Sequence, residues 1–146
     1  MAYAAYTPTA SRKNHPVARL LGLRARNLAE LTTQIEKGLP AQSLHTLGSL
    51  LGLSQPQLAE LLGVSVRTLQ RSKETLSPAV SDHLYRLGNL LETAVRFHGS
   101  LEAAVRWLKH PNIALGGVAP LEFARTEAGS QVILDLLGGL EHGVVQ

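Results

Sequence analysis

The sequence predicts an all-α protein, and three features lead to that prediction. Apolar residues recur at steps of three and four along most of the 146-residue chain, as on the buried face of a helix. Serine or proline precedes several of these runs and glycine follows them, as at helix ends. No segment alternates apolar and polar residues with β-branched enrichment, so strands are not expected. A chain of this length forms one compact domain or two very small ones.

The predicted helices follow this periodicity. They lie near 25–37, 41–51, 55–62 and 78–98, followed by one that begins after Ser100 and one that begins after Thr126. Ser54 and Gln57 form an S-x-x-Q capping box at the start of the third helix. Ser77-Pro78 is an N-cap and first-turn pair before the longest helix. The last helix should bury a stripe that comprises Val132, Ile133, Leu136, Leu137 and Leu140.

Composition argues against an enzyme, a cofactor and a metal site. The chain has no cysteine, which excludes disulfides, thiolate metal ligands and a cysteine nucleophile. Its six histidines show no metal-ligand spacing, and no glycine-rich phosphate-binding loop precedes a lysine. No apolar run approaches the roughly 18 residues that suggest a membrane span, and the N-terminus lacks a signal-peptide pattern. A cytoplasmic protein without a membrane partner is therefore expected.

Charge is distributed unevenly between the two halves of the chain. Residues 1–73 contain nine Lys and Arg against three Asp and Glu, whereas residues 74–146 contain five against eight. A basic half suits a polyanionic partner, and an acidic half suits a different one.

The strongest local pattern lies in residues 55–71, QPQLAELLGVSVRTLQR. Ala59 is small enough for a second helix to cross closely, and Gly63 permits a tight turn four residues later. Leu58, Leu62, Val64 and Leu69 would supply the shared core. This pattern predicts a helix-turn-helix unit whose second helix is capped by Ser65 and enters the major groove of DNA.

The second helix of this unit carries the candidate DNA-binding residues. At about 100° per residue, Arg67 and Arg71 project opposite the buried Leu69, and Thr68 and Gln70 flank them. Arg and Gln have the donor geometry that suits guanine and adenine edges. The alternative is a tight helical hairpin within a bundle, in which Arg67 and Arg71 are only solvated. Basic residues near the N-terminus are candidates for further phosphate contacts, namely Arg12, Lys13, Arg19, Arg24 and Arg26.

Several C-terminal segments carry a family resemblance. They are WLKHPNIALGGVAPL at 107–121, ARTEAG at 124–129 and LLGGLEHGV at 136–144. Together they resemble the toxin-binding domain of Xre-family antitoxins that are paired with RES-domain toxins. Upstream, GVSVRTL at 63–69 and LSP at 76–78 are similar to the Xre-like helix-turn-helix of the same antitoxins. The resemblance runs from about Gly38 to the C-terminus.

The resemblance implies a type II antitoxin with an Xre-like helix-turn-helix domain over 17–76 and a helical toxin-binding domain over 77–146. Before them, residues 1–16 mix small, polar and proline residues without a period, which predicts a flexible arm. Such a protein silences a RES toxin, which depletes NAD⁺, and represses its own operon by binding operator DNA as a homodimer. The chain departs from the family pattern at Gly139, where an arginine is expected.

The C-terminal tail is the candidate toxin-binding element that the resemblance implies. It offers a carboxylate, an imidazole, a flexible glycine and two small apolar side chains, at Glu141, His142, Gly143, Val144 and Val145. This set suits a cleft that normally holds an anionic cofactor. The alternative is a frayed helix end with a solvated Glu141.

Two other functions stay open at this level. One is a stand-alone transcriptional repressor without a toxin partner, and the other is an antitoxin whose helix-turn-helix serves only as a dimerisation scaffold. For a dimer interface, the sequence offers apolar residues of the longest helix, namely Leu84, Leu87, Leu90 and Leu91. A strictly intramolecular core is the alternative for these leucines.

Overall fold

The computed structural model describes residues 14–141, with side chains through residue 138, and within that range it contains helices and no strand. The helices are α1 Pro16–Leu20, α2 Leu28–Lys37, α3 Ala41–Leu51, α4 Gln55–Leu62, α5 Val66–Arg71, α6 Pro78–His98, α7 Leu101–Lys109, α8 Pro120–Phe123 and α9 Glu127–Glu141. A short 3₁₀ turn spans Ile113–Leu115. The predicted all-α fold class is confirmed. Among these helices, none has both the length and the apolar character needed to cross a bilayer.

Helix starts follow the predicted capping residues. The Ser54 hydroxyl accepts the Gln57 N–H at 3.3 Å, and the Gln57 side chain accepts the Ser54 N–H at 2.9 Å, so the capping box is present. The Thr126 hydroxyl accepts the Gly129 N–H at 3.0 Å at the start of α9. The helix predicted near 25–37 begins later, at Leu28, because the Asn27 side chain accepts the Glu30 N–H.

Three residues of the predicted N-terminal arm, 14–16, take part in the fold. Asn14 donates its amide to the Leu23 carbonyl at 2.8 Å and accepts the Ala25 N–H at 2.8 Å. Helix α1, which the periodicity did not predict, begins at Pro16 with His15 as its N-cap. The last three residues of the predicted arm therefore belong to the folded part, and residues 1–13 lie outside the described range.

Helix α6 is the centre of the molecule. It packs against α1, α2 and α4 from the first half of the chain and against α7 and α9 from the second. A Cβ at Gly88 would lie 3.1 Å from a Val17 methyl group, so the glycine allows α1 to approach closely. The buried apolar residues of both halves form one contiguous core.

The leucines of α6 face this core and do not form an external surface. Leu84, Leu90 and Leu91 are 0 % exposed and Leu87 is 2 % exposed. The prediction that these leucines offer a dimer interface was wrong, because α6 is surrounded by helices of its own chain. A homodimer must use other residues.

Candidate functional site

Helices α4 and α5 form a compact helix-turn-helix unit. Gly63 ends α4 with φ 69°, a left-handed conformation that glycine adopts without strain. The Val64 N–H then donates to the Ala59 carbonyl at 3.0 Å, which completes the turn. Ser65 begins α5 by accepting the Thr68 N–H at 3.1 Å. The turn and the cap predicted at Gly63 and Ser65 are therefore both present.

Three of the four predicted core residues of this unit are buried, and the fourth, Val64, is partly buried against the core. Leu58 is 3 % exposed, Leu62 is 5 % exposed and Leu69 is 3 % exposed, while Ala59 is 2 % exposed at the helix crossing. Burial of Leu69 fixes the rotation of α5, so its opposite face points to solvent.

The four candidate DNA-binding residues, Arg67, Thr68, Gln70 and Arg71, are all exposed on α5. Within the described part of the chain, the Arg67 and Arg71 guanidinium groups have no hydrogen bond or ion pair. The Thr68 hydroxyl instead lies 2.9 Å from the Ser65 hydroxyl and takes part in the cap. Of the four candidates, Arg67 and Arg71 therefore supply the positive charge that is available to an anion.

The other candidate phosphate-contact residues differ from one another in exposure and in ion pairing. Arg24 is exposed, Arg19 is half-buried, and Arg12 and Lys13 lie outside the described residues. Arg26 is already paired, because its guanidinium lies 3.0 Å from a Glu30 carboxylate oxygen.

The Arg26–Glu30 pair also affects the pKa of the Glu30 carboxyl group. The Arg26 backbone N–H and side chain donate hydrogen bonds to Glu30 and lower the pKa of its carboxyl group below the usual value.

The candidate toxin-binding residues lie at or beyond the C-terminal end of the described residues. Glu141 is the last residue of α9, and its side chain lies outside the described residues, as do His142, Gly143, Val144 and Val145 altogether. Upstream, Ile133 and Leu137 are 0 % exposed and anchor α9 against α6.

The apolar stripe predicted for α9 is only partly buried. Val132 is 45 % exposed, so its assignment to the stripe was wrong. Leu136 is half-buried, and the Leu140 side chain lies outside the described residues.

A groove of about 360 Å³ separates α4 from the segment around α8. Three of its charged side chains, Glu60, Lys109 and Arg125, already have internal partners. Arg125 lies 3.3 Å from Glu60 across the groove. Lys109 donates to the Leu51 and Gly52 carbonyls at 3.0 and 3.2 Å and thereby caps α3. These contacts join the two halves of the chain.

The structure shows one exposed apolar side chain that the sequence did not predict. Ile113, in the loop between α7 and α8, is 96 % exposed. The sequence did not predict this exposure, because no periodicity reports exposure within an irregular loop. Among the described residues, no group of His, Asp and Glu side chains has the arrangement of a metal site.

Comparison with known proteins connects both regions to one kind of protein. Residues 30–89 match the family model of the antitoxin Xre-like helix-turn-helix domain. Residues 93–143 match that of the antitoxin Xre/MbcA/ParS C-terminal toxin-binding domain. A protein named Antitoxin Xre from Photorhabdus laumondii is 25 % identical over 144 residues, which cover 96 % of this chain and 97 % of the relative. A second Antitoxin Xre, from Yersinia enterocolitica, is 28 % identical with the same coverage.

Proposed function

The chain belongs to the family of Xre antitoxins, and we propose that it neutralises a RES-domain, NAD⁺-depleting toxin and represses its own operon by binding operator DNA. As a member of this family it is a binding protein and not an enzyme. The observation that carries the proposal is the succession of a helix-turn-helix region and a toxin-binding region in one short chain.

We assign neutralisation to the C-terminal tail. The family match to the toxin-binding domain extends to residue 143 and therefore includes Glu141, His142 and Gly143. The Glu141 carboxylate suits the basic side chains expected in a cleft that binds an anionic cofactor. Gly143 would let the backbone approach closely. In this arrangement the tail covers the toxin active site while α9 holds it on the antitoxin core.

Deletion of residues 141–146 tests this assignment. The truncated chain should stay folded, because Ile133 and Leu137 still anchor α9. It should keep its DNA affinity and lose much of its protection of cells that express the toxin. Growth of these cells at equal antitoxin expression is the measurement, with deletion of Gln146 alone as the matched control. Full protection by the truncated chain would show that the tail is not the inhibitory element.

We assign operator binding to the exposed face of α5, with Arg67, Thr68, Gln70 and Arg71 as the contact residues. Support comes from the Arg67 and Arg71 guanidinium groups, which are exposed and have no partner within the described chain. Phosphate neutralisation releases counterions, so affinity should fall as salt rises. A bidentate contact to a base edge contributes about 1–3 kcal/mol of discrimination.

The double variant Arg67→Ala, Arg71→Ala tests this surface. It should bind the promoter DNA of its operon at least about tenfold more weakly, from the loss of one or two such contacts. Electrophoretic titration at fixed salt measures the affinity. Arg106→Ala is the control, since it removes a positive charge that is 71 % exposed in the toxin-binding region. Unchanged affinity of the double variant would refute the assignment.

We further propose that DNA is bound by a homodimer. Helix α5 has only six residues and reads few base pairs, so a two-fold pair is needed for a useful interface. The operator should then be near-palindromic. Light scattering at micromolar concentration measures the state, and a monomer with full operator affinity would contradict a dimer.

A further inference from the structure

The loop between α7 and α8 is organised around one asparagine. The Asn112 side chain accepts the Ala114 N–H at 2.9 Å, and its carbonyl accepts the Leu115 and Gly117 N–H groups at 3.0 and 2.9 Å. The Asn112 N–H donates to the Val118 carbonyl at 3.1 Å and closes the loop. We call residues 112–118 the Asn112 loop. Its hydrogen bonds give it a defined shape, and Leu115 packs it against the core.

This loop presents the most exposed large apolar side chain among the described residues. Ile113 is 96 % exposed, whereas Leu28, Val132 and Val118 are 48 %, 45 % and 37 % exposed. Ala114 and Val118 lie beside it on the loop and are also exposed. Single exposed apolar residues are common, but this isoleucine is almost completely solvated and sits on a hydrogen-bonded turn.

Such an arrangement suits binding. An aliphatic side chain gains free energy when it leaves water for an apolar pocket. Ordering a flexible loop normally opposes association, and a loop that already has its bound shape avoids much of that cost. Ile113 therefore has the properties of an interface anchor.

The chemistry around Ile113 indicates the kind of partner. Residues 110–121 contain no Asp, Glu, Lys or Arg, so the segment has no Lys or Arg side chain to neutralise phosphates. The loop also lies inside residues 93–143, which match the toxin-binding domain. Both observations favour a protein surface, and the second favours the toxin.

We propose that Ile113 inserts into an apolar pocket on the surface of the toxin, at a contact separate from the C-terminal tail. This inference rests on the proposed antitoxin function and adds a second contact to it. The tail would cover the toxin active site, and the Asn112 loop would contribute affinity through apolar burial.

Binding of Ile113→Glu to the toxin tests the proposal. The probe is an inactive variant of the protein encoded by the neighbouring gene, which we propose to be a RES-domain toxin, titrated calorimetrically against the full antitoxin chain. We expect at least about 30-fold weaker binding, the loss typical of an interface hot spot. Ile113→Ala should weaken binding by less, because it buries no charge. The melting temperature of both variants should stay that of the unchanged chain, since this side chain is solvated.

Leu28→Glu is the matched control, because Leu28 is exposed on α2 outside the toxin-binding region. It should bind the toxin as the unchanged chain does. Wild-type affinity of Ile113→Glu would overturn the Ile113 contact and leave the antitoxin function intact. Absence of binding by the unchanged chain would overturn the proposed function and this inference with it. A change in the mass of the antitoxin alone in Ile113→Glu would assign the loop to a second copy and overturn the toxin contact.

Discussion

At the residue scale, His83 and His98 are two histidines whose pKa values the fold lowers. Burial lowers the pKa of His83, and the positive charge of Arg86 lowers it further. A hydrogen bond to the Leu62 backbone and the Asp82 charge act in the opposite direction. Burial also lowers the pKa of His98, with Arg106 adding to the effect. Within the described chain, the Nε2 atoms of both rings are buried and have no hydrogen-bond partner.

These shifts predict that the protein loses stability in mild acid. The folded state favours neutral histidine, so below the unfolded pKa of about 6.5 the unfolded chain binds more protons. The stabilisation is complete above that pH and is lost as pH falls toward the folded pKa values. The melting temperature should therefore decrease between about pH 7.5 and pH 5.5, above the range in which carboxylates titrate.

The variant His83→Gln should reduce this decrease, and thermal melts followed by circular dichroism measure it. His45→Gln, at an exposed position on α3, is the control and should keep the full decrease. An identical pH response in His83→Gln and the unchanged chain would contradict the role of His83.

At the element scale, two glycines end helices with positive φ for different reasons. Gly38 ends α2 with φ 96°, and a Cβ there would overlap the Leu76 carbonyl oxygen. Gly99 ends α6 with φ 83°, and a Cβ there would have no atom within 4 Å. Backbone conformation alone requires glycine at position 99, whereas close packing of two chain segments adds a second requirement at position 38.

Alanine substitutions should separate these two requirements. Gly99→Ala should lower the free energy of unfolding by about 1 kcal/mol, the cost of a left-handed alanine. Gly38→Ala should lower it by roughly 2–4 kcal/mol, because the backbone around Leu76 must also move. Urea denaturation measures both values. Equal losses in the two variants would mean that the segment after α5 relaxes freely around a new methyl group.

At the scale of the whole molecule, the continuous core predicts one cooperative unfolding transition. Family models divide the chain between residues 89 and 93, but this boundary falls inside α6. Because α6 packs against helices of both halves, neither half buries its apolar surface alone. The two functions would then share one folding unit.

Trp107, the only tryptophan of the chain, reports on the second half. Leu31, on α2 in the first half, is 0 % exposed. Leu31→Ala should lower the free energy of unfolding by about 2–5 kcal/mol, through lost burial and a cavity. It should shift the Trp107 fluorescence transition and the circular dichroism transition equally. A fluorescence midpoint that does not move would show that the two halves unfold independently.

The sequence by itself determined the elements whose signals are local. Helices α3, α4 and α6 begin and end at the predicted residues, because caps such as the Ser54–Gln57 pair satisfy hydrogen bonds within one turn of the chain. The helix-turn-helix unit was predictable for the same reason, since Ala59, Gly63 and Leu69 lie within a few residues of one another. The exposed positions of Arg67 and Arg71 then followed from helical periodicity.

Only the tertiary structure decided what covers each apolar face. Periodicity shows that Leu84 to Leu91 line one side of α6, but α1, α2 and α9 come from distant parts of the chain to pack against this helix, and these leucines are buried. Ile113 shows the converse, because its loop completes its own hydrogen bonds and, among the described residues, no distant element packs over its side chain. Burial depends on contacts between residues far apart in sequence, and neither composition nor local spacing encodes those contacts.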